Sequence, residues 1–588
     1  MRDDVSATAS DQPGISRRRF VAGALGLSAS AAALAACGGG DDRGASQGGQ
    51  ATTAAGPSTM GAMSTAAGSP AASASGPGAS GSGSGAGPLT PAYVPFSGAK
   101  PDIAGGDHGI PAVYYHYPSA PKAFIEHPLG SGEKIDLLLE SSKTIPPLDH
   151  NKWHQAINSA VNATINVQTV PSTDYLPKFQ TLMASGDLPD MMQVVGVPDL
   201  PQVLDKEFTD LTEYLSGDAI KEYPGLASTP TPTWLIPTVN GRIWGITQPR
   251  PPDGSVGTTR GDVLKEAGFD SSSPDLSSGA DFIDLCKRLT DPKKHRYALG
   301  QQPNTFILNA FLEMMEAPNG WTVDGGKFIS QNESDQMKDA LDQVRQIWSA
   351  GYIHPDSFLH PGNSITWWNG GTVPISYTDI VNWHYRADPH PEWDLGGIMP
   401  PKWGGGGKAK KRLGVAGYGA FVGLKKAKPD RVRTLLRILD FFCAPFGTKE
   451  FLTFNYGAAG VDYTLNGSDP VPTETASVES TGAIQYCGSQ LYTVIYESKL
   501  PDLAKAEHSY LQQSLPDGIA DPSWGLYSAT ASTKGATADK NLQNATSDII
   551  QGRKSMSDWD GAVKAWKEAA GDATASEYEA AYAAQNGG

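Results

Sequence analysis

Between Lys134 and Gly196 the chain alternates strand, helix, strand, helix, strand, and this order restricts the fold more than any other feature of the sequence. Lys134-Ile135-Asp136-Leu137-Leu138-Leu139-Glu140 holds a nearly unbroken apolar run, the pattern of a strand buried on both faces. Trp153 to Ala163 places Trp153, Ala156, Ile157 and Ala160 at helical spacing, and Thr164 to Val170 alternates as a strand does. Tyr175 to Ser185 reads as a helix closed by Gly186, and Pro189 to Gly196 as a third strand. This alternation predicts an α/β fold, a parallel sheet with helices on both faces. Ligands of such sheets sit at the carboxyl ends of strands, which makes Glu140, Ser141 and Gly196 binding candidates, although loop residues there also serve simply to turn the chain.

The N-terminal region has another purpose. Ser16-Arg17-Arg18-Arg19-Phe20-Val21 resembles a twin-arginine export signal, and the apolar run Val21 to Ala36 follows directly. That run has 16 residues, mostly Ala, Leu and Gly, too short and too weakly apolar for a permanent transmembrane helix. It closes on Leu34-Ala35-Ala36-Cys37, which resembles a bacterial lipobox, so residues 1–36 are expected to be a lipoprotein signal peptide and Cys37 the lipidated residue. Of residues 38–90, 45 are Gly, Ala, Ser, Pro or Thr, none is aromatic, and no charge follows Arg43. Such a segment buries too little apolar surface to offset its ordering entropy. As a flexible coil it would reach about 40 Å, enough to lift a globular body off a lipid surface. The expected organisation is a lipidated Cys and linker over 37–98, with the working domain over 99–588.

Composition removes several function classes. A formal net charge of −16 disfavours nucleic acid as a partner, and four cysteines without CxxC spacing supply neither a disulfide framework nor a zinc ribbon. Cys286, Cys443 and Cys487 read as buried thiols, with a disulfide among them left open. Gly404 to Gly407 lacks the Gly-Lys-Ser/Thr of a phosphate loop, so Lys408, Lys410, Lys411 and Arg412 are expected to be solvated around a surface loop. His354 and His360, like His384 and His390, are six apart and fit no metal pattern, and no GxSxG elbow is present. No metal and no cofactor are expected. The stripe Met337, Leu341, Val344, Ile347 and Trp348 on a Ser334–Ala350 helix reads as core, as does an amphipathic helix from Arg431 to Phe442.

Five stretches carry a family resemblance. Asn240-Gly241-Arg242-Ile243-Trp244-Gly245-Ile246, Arg260 to Gly268, Ile347 to Phe358, Tyr456 to Tyr463, and Ile549 to Gly552 with Trp559 occur in the order found in family 1 of the extracellular solute-binding proteins of ABC importers. Thr247 departs from the family's usual Pro, and Val263 from its usual Trp. The body thus resembles the large lipoprotein branch associated with oligosaccharide uptake. The resemblance implies a two-lobed periplasmic-binding-protein-like fold of type II with hinge strands, lobe 1 near 133–247 and 396–445, lobe 2 near 248–395 and 446–588. It further implies a monomer outside the cell membrane that binds a carbohydrate without turning it over and delivers it to ABC permease transmembrane subunits. An exported glycosidase or lyase, or a ligand-sensing lipoprotein, is the alternative.

Sugars present C–H faces to aromatic rings and hydroxyls to planar or charged polar groups. All 13 tryptophans lie in the body, and the segment Ile365 to Trp383 matches the family's cleft strand, with Asp379 and Trp383 at its carboxyl end. Trp367 and Trp368 precede its Gly turn, one of them read as core. Trp234, Arg250, Arg260 and Tyr418 are further ligand candidates, with packing or a salt bridge as the competing role of each; for Arg260 a nearby Asp is the competing partner. The lipobox reading predicts that a Cys37→Ala protein leaves the detergent phase in phase partitioning. Quantitative retention there would remove the lipid anchor.

Overall fold

The computed structural model describes residues 90–480 and 482–585; the export signal, Cys37 and the linker up to residue 89 lie outside them. The strands that position the site are β1 (Ala112–Tyr114), β2 (Glu133–Glu140), β3 (Ala163–Val170), β4 (Met191–Val194), β5 (Gly245–Ile246), β6 (Val256–Thr259), β7 (Ile375–Thr378), β8 (Gly396–Ile398), β9 (Phe421–Leu424) and β10 (Val494–Tyr496). The first sheet has the order β3-β2-β4-β9-β5. β2 runs parallel to β3 and β4, as the alternating pattern requires, while β9 is antiparallel to both β4 and β5. The Leu137–Leu139 run of β2 is unbroken because both faces of the strand are covered there. Leu137 and Leu139 join Trp153 and Ile157 of the Lys152–Val161 helix, and Leu138 joins Tyr175 and Phe179 of the Ser172–Ser185 helix on the other side. Asn151 caps the first helix by accepting from His154 N, and Gly186 closes the second in the left-handed region.

The second sheet, β7-β6-β8, is antiparallel throughout. Ile375, Tyr377 and Ile398 face a core to which the Asp335–Ser349 helix contributes Met337, Leu341, Val344 and Ile347, while Trp348 packs half-buried at its edge. Each sheet therefore has its own core, and the chain passes between them along a narrow ribbon. Residues 247–254 lead from β5 to β6, and residues 412–420 return toward β9. The two segments pair through Pro249 and Gly417, with Tyr418 N donating to Gln248 O at 2.8 Å and Gly414 N to Pro252 O at 3.1 Å. Gly254 has φ +62°, and a Cβ there would meet Arg412 O at 2.6 Å, so the close approach of the two segments excludes a larger residue.

β8 belongs to the second sheet, and the helices Lys449–Tyr456 and Glu474–Glu479 bring Phe454 and Ala476 to the first sheet's core. The crossings placed at 396 and 446 from sequence therefore fall later. Cys286, Cys443 and Cys487 are all buried free thiols. A third crossing, residues 483–500, leads from the first core through β10, and a strap of residues 90–130 lies along it. Ala92 N and Val94 N donate to Gly217 O and Ala227 O, β1 pairs in parallel with β10, and His508 of the Pro501–Ser514 helix meets Ala104 O at 3.2 Å. No described helix is long and apolar enough to cross a membrane.

One expectation about the ribbon fails. Lys411 is 1% exposed rather than solvated, because its ammonium pairs with Glu313 at 3.0 Å and donates to Ser255 O. Arg412 is also drawn in, its guanidinium donating to Asn309, Gln331 and Pro318 O. Removing one partner of a buried pair leaves an uncompensated charge, so Lys411→Ala is expected to cost about 3–5 kcal/mol. The combined Lys411→Met and Glu313→Leu change should cost far less, as read by equilibrium denaturant unfolding. Asp253 is likewise buried in the ribbon, accepting from Ile380 N at 3.1 Å. Burial first and Asp379 second push its carboxyl from 3.8 up to about 7. Inside that window the folded state holds a proton that the unfolded state releases, so stability falls with rising pH by up to about 1.4 kcal/mol per unit. Thermal melts at pH 5 and pH 8 should show this loss in the parent protein, and Asp253→Asn should be less sensitive.

Candidate functional site

The carboxyl end of β2 delivers Glu140 to the junction of the two lobes. Its backbone N donates to Gln193 Oε1 at 3.2 Å, which ties the ends of β2 and β4 together. Close by, Tyr418 of the ribbon stacks on Tyr486, with ring centroids 3.9 Å apart and planes within 2°. Burial first, then the neighbouring Tyr486 and Glu140, raise the Tyr418 phenol well above the ordinary range.

Arg250, on the other strand of the ribbon, lies over two rings, 5.2 Å from the Tyr418 centroid and 5.3 Å from that of Tyr492. Its Nε and Nη2 donate to Gln248 Oε1 at 3.2 and 3.0 Å, and Nη1 donates to Asp379 Oδ2 at 3.3 Å. Asp379 follows β7 directly, so this ion pair joins the ribbon to the end of the second sheet. Burial raises the Asp379 carboxyl pKa and the Arg250 guanidinium opposes that shift.

Cavities open beside this cluster. One of about 700 Å³ is lined from the first lobe by Trp153, Tyr456 and Gln485 and from the second by Val381, Asp388 and Glu507, with Tyr492 and Pro251 on its hinge side. Another of about 490 Å³ is bounded by Gly419, next to Tyr418, by Tyr377, two residues before Asp379, and by Phe306 and Trp524. Phe306 is 45% exposed, an available apolar ring at that wall. Arg250 itself lines a third cavity of about 440 Å³ with Thr233, Gln490 and Tyr492, and Tyr492, which lies under its guanidinium, also stands on the wall of the 700 Å³ cavity. No group of three or more His, Cys, Asp or Glu suited to a metal ion occurs among the described residues.

Of the residues singled out from sequence, Glu140, Arg250, Asp379 and Tyr418 come together here. Ser141 follows Glu140 and accepts from Lys143 N at 3.2 Å, and Gly196 is exposed in the loop after β4. The remaining candidates are held elsewhere. Trp383 is 1% exposed, its Nε1 donating to Thr258 Oγ1 at 2.7 Å and its ring packed beside Tyr510, so it offers no face to a solute. Trp234 is buried in the first core, and Trp368 is fully buried against Trp393. Trp367 stacks on His354 at 3.8 Å. Arg260 lies over the Trp393 ring at 4.0 Å and pairs with Asp262 at 2.6 Å, while its Nη1 donates to the carbonyls of Trp368 and Asn369 that end the short Ser364–Asn369 helix. That arrangement orders the helix end. Gln193, Tyr486 and Tyr492 were not singled out. Gln193 had a signal, a polar residue inside an otherwise apolar strand, whereas the two tyrosines reach the site only through the third crossing.

The family model described as bacterial extracellular solute-binding protein matches residues 152–458, more than half of the chain. Lipoprotein LipO of Bacillus subtilis (strain 168) is 23% identical over 473 residues, covering 75% of this chain and 91% of that protein. The polygalacturonan/rhamnogalacturonan-binding protein YtcQ of the same organism is 22% identical over 458 residues, with 74% and 89% covered. The crystal structure of alginate-binding protein AlgQ2 superposes with a TM-score of 0.57 at 15% identity, covering 77% of this chain and 98% of that one. The fold is thus the two-lobed, periplasmic-binding-protein-like α/β fold, and the chain belongs to the bacterial extracellular solute-binding protein family.

Proposed function

We propose that the protein is an exported lipoprotein that binds an oligosaccharide between its lobes and passes it unchanged to the transmembrane subunits of an ABC importer. The observation that carries this reading is the hinge cluster of Glu140, Arg250, Asp379 and the Tyr418–Tyr486 stack, with Arg250 on the wall of a cavity of about 440 Å³ and Tyr492, under its guanidinium, on the wall of that cavity and of the one of about 700 Å³. Rings stack on the C–H faces of a sugar, and charged groups bond its hydroxyls. An elongated ligand suits two cavities that share Tyr492 on their walls. The names of YtcQ and AlgQ2 specify polysaccharide ligands, which favours the same chemistry for this relative.

In this reading residues 1–36 are the signal peptide, Cys37 carries lipid and the linker to residue 98 holds a monomeric body outside the cell membrane. The first lobe comprises 133–246 with 421–487, and the second 256–398 with 501–585. Ligand touching both lobes would shift an open–closed equilibrium by its differential affinity. Catalysis is no part of this reading: the solute is bound and released unchanged.

A charged hydrogen bond is worth about 1.5–3 kcal/mol, so Arg250→Ala or Tyr418→Ala should weaken binding of a recognised oligosaccharide at least tenfold in calorimetry. Small-angle scattering should show a smaller radius of gyration with ligand. Unchanged affinity in both variants would move the site elsewhere, and release of new reducing ends by the parent protein would make it an enzyme.

A further inference from the structure

The cavity of about 490 Å³ beside Tyr418 has a neighbour in the second lobe. Four residues of its wall, Asn309, Gly320, Gln331 and Asp521, also line a cavity of about 410 Å³ whose wall comes from the second lobe alone. That volume is within the range of small-molecule sites, about 300–1,000 Å³. Three segments among the described residues are π-helical, Pro303–Ile307, Ala531–Gly535 and Lys567–Gly571, and all three reach this wall. The first brings Asn304 and Thr305, the second Ala531 and Gly535, and the third Ala570. A π turn inserts one residue into a helix, and such turns are rare and occur mostly at functional sites. The first segment serves both cavities, since Phe306, 45% exposed, stands on the wall of the larger one.

The groups on the wall suit a hydroxylated ring. Trp321, half-buried, and Trp566 bring indoles to it. Asn332 and Gln543 are partly exposed carboxamides whose side-chain amino groups have no hydrogen-bond partner among the described residues; the Gln543 oxygen accepts from Lys540 at 3.4 Å. Asn309 is held through its Oδ1, which accepts from Arg412 at 3.2 Å, and its amino group is likewise unpaired. Asp539, which accepts from Trp566 Nε1 at 2.7 Å, and Asp521 add carboxylate acceptors. Amide donors, carboxylate acceptors and indoles together match the hydroxyls and the C–H face of one sugar unit.

With the oligosaccharide reading as its premise, we propose that this cavity is an anchoring subsite: it takes an outer sugar unit of the bound chain, holds it on the second lobe alone, and adds affinity without contributing to closure. A contact made equally in the open and closed states shifts no equilibrium between them, however tight it is. Only ligand groups that touch both lobes, at the hinge cluster, drive the lobes together. The subsite and the hinge therefore divide the work, one retaining the chain and the other sensing it.

The test uses the full-length protein and xylo-, gluco-, manno-, arabino- and galacturono-oligosaccharides of two to six units. Thermal shift selects the series that the parent protein binds, because a ligand bound only by the folded state raises the melting temperature. Calorimetry then compares the parent with the Asn332→Ala, Gln543→Ala double variant along that series. Two lost hydrogen bonds should weaken binding of the long members about tenfold and leave the shortest bound member unchanged. Small-angle scattering at saturating ligand should show the same compaction in parent and variant. Thr305→Trp, which fills the wall from a partly exposed position, is read the same way should the double variant melt early. Unchanged affinity at every length, an equal loss at every length, or a loss of compaction would overturn the subsite while leaving the oligosaccharide reading intact. No shift with any series, at concentrations where a control sugar-binding protein responds, would overturn the reading and the inference with it.

Discussion

Two of the stretches of backbone that connect the lobes, 247–254 and 412–420, pair with each other, and that pairing is the constraint on which the site depends. Each sheet closes its own core, so neither needs the other to bury its apolar strands. The ribbon can therefore be narrow. Its narrowness makes side chains three positions apart face different surroundings: Arg250 reaches Tyr418, Tyr492 and Asp379, while Asp253 is buried and accepts from Ile380 N. The glycines that allow the approach, Gly254 above all, leave little volume at the pivot. Charge concentrated at such a pivot is balanced locally, which is why Arg250–Asp379 and Lys411–Glu313 sit within or beside the ribbon.

Much of the first lobe was legible because its strands are buried on both faces. Leu137, Leu138 and Leu139 leave no polar position to blur the pattern, and the helices between strands carry their own stripes and caps. β9 was not legible as a member of that sheet. Its four residues, Phe421–Leu424, lie more than 220 positions after Met191–Val194, with which they pair, and nothing local encodes an antiparallel insertion between β4 and β5. Lys411 illustrates a related limit. A lysine among lysines and glycines reads as solvated, and only the fold brings Glu313 from a distant helix to meet it.

Of the hinge cluster, Glu140 was legible from topology, as the residue that ends β2, and Asp379 through the family resemblance, which places it at the end of the cleft strand. Trp383 shows why composition misleads: indole suits a sugar face and a core equally, and four residues along from Asp379 the choice is made by Thr258 and Tyr510, which lie far away in sequence. Tyr486 and Tyr492 escaped for the converse reason. They belong to a segment without strong periodicity, and their place beside the ribbon is set by the crossing that ends in β10.

The strap gives the two lobes unequal mechanical standing. Its first bonds, Ala92 N to Gly217 O at 2.9 Å and Val94 N to Ala227 O at 2.8 Å, are both made to the first lobe, ahead of β1 and of the contact with His508. Any pull arriving along the chain from its N-terminal side is therefore taken up by the first lobe before it can reach the pivot.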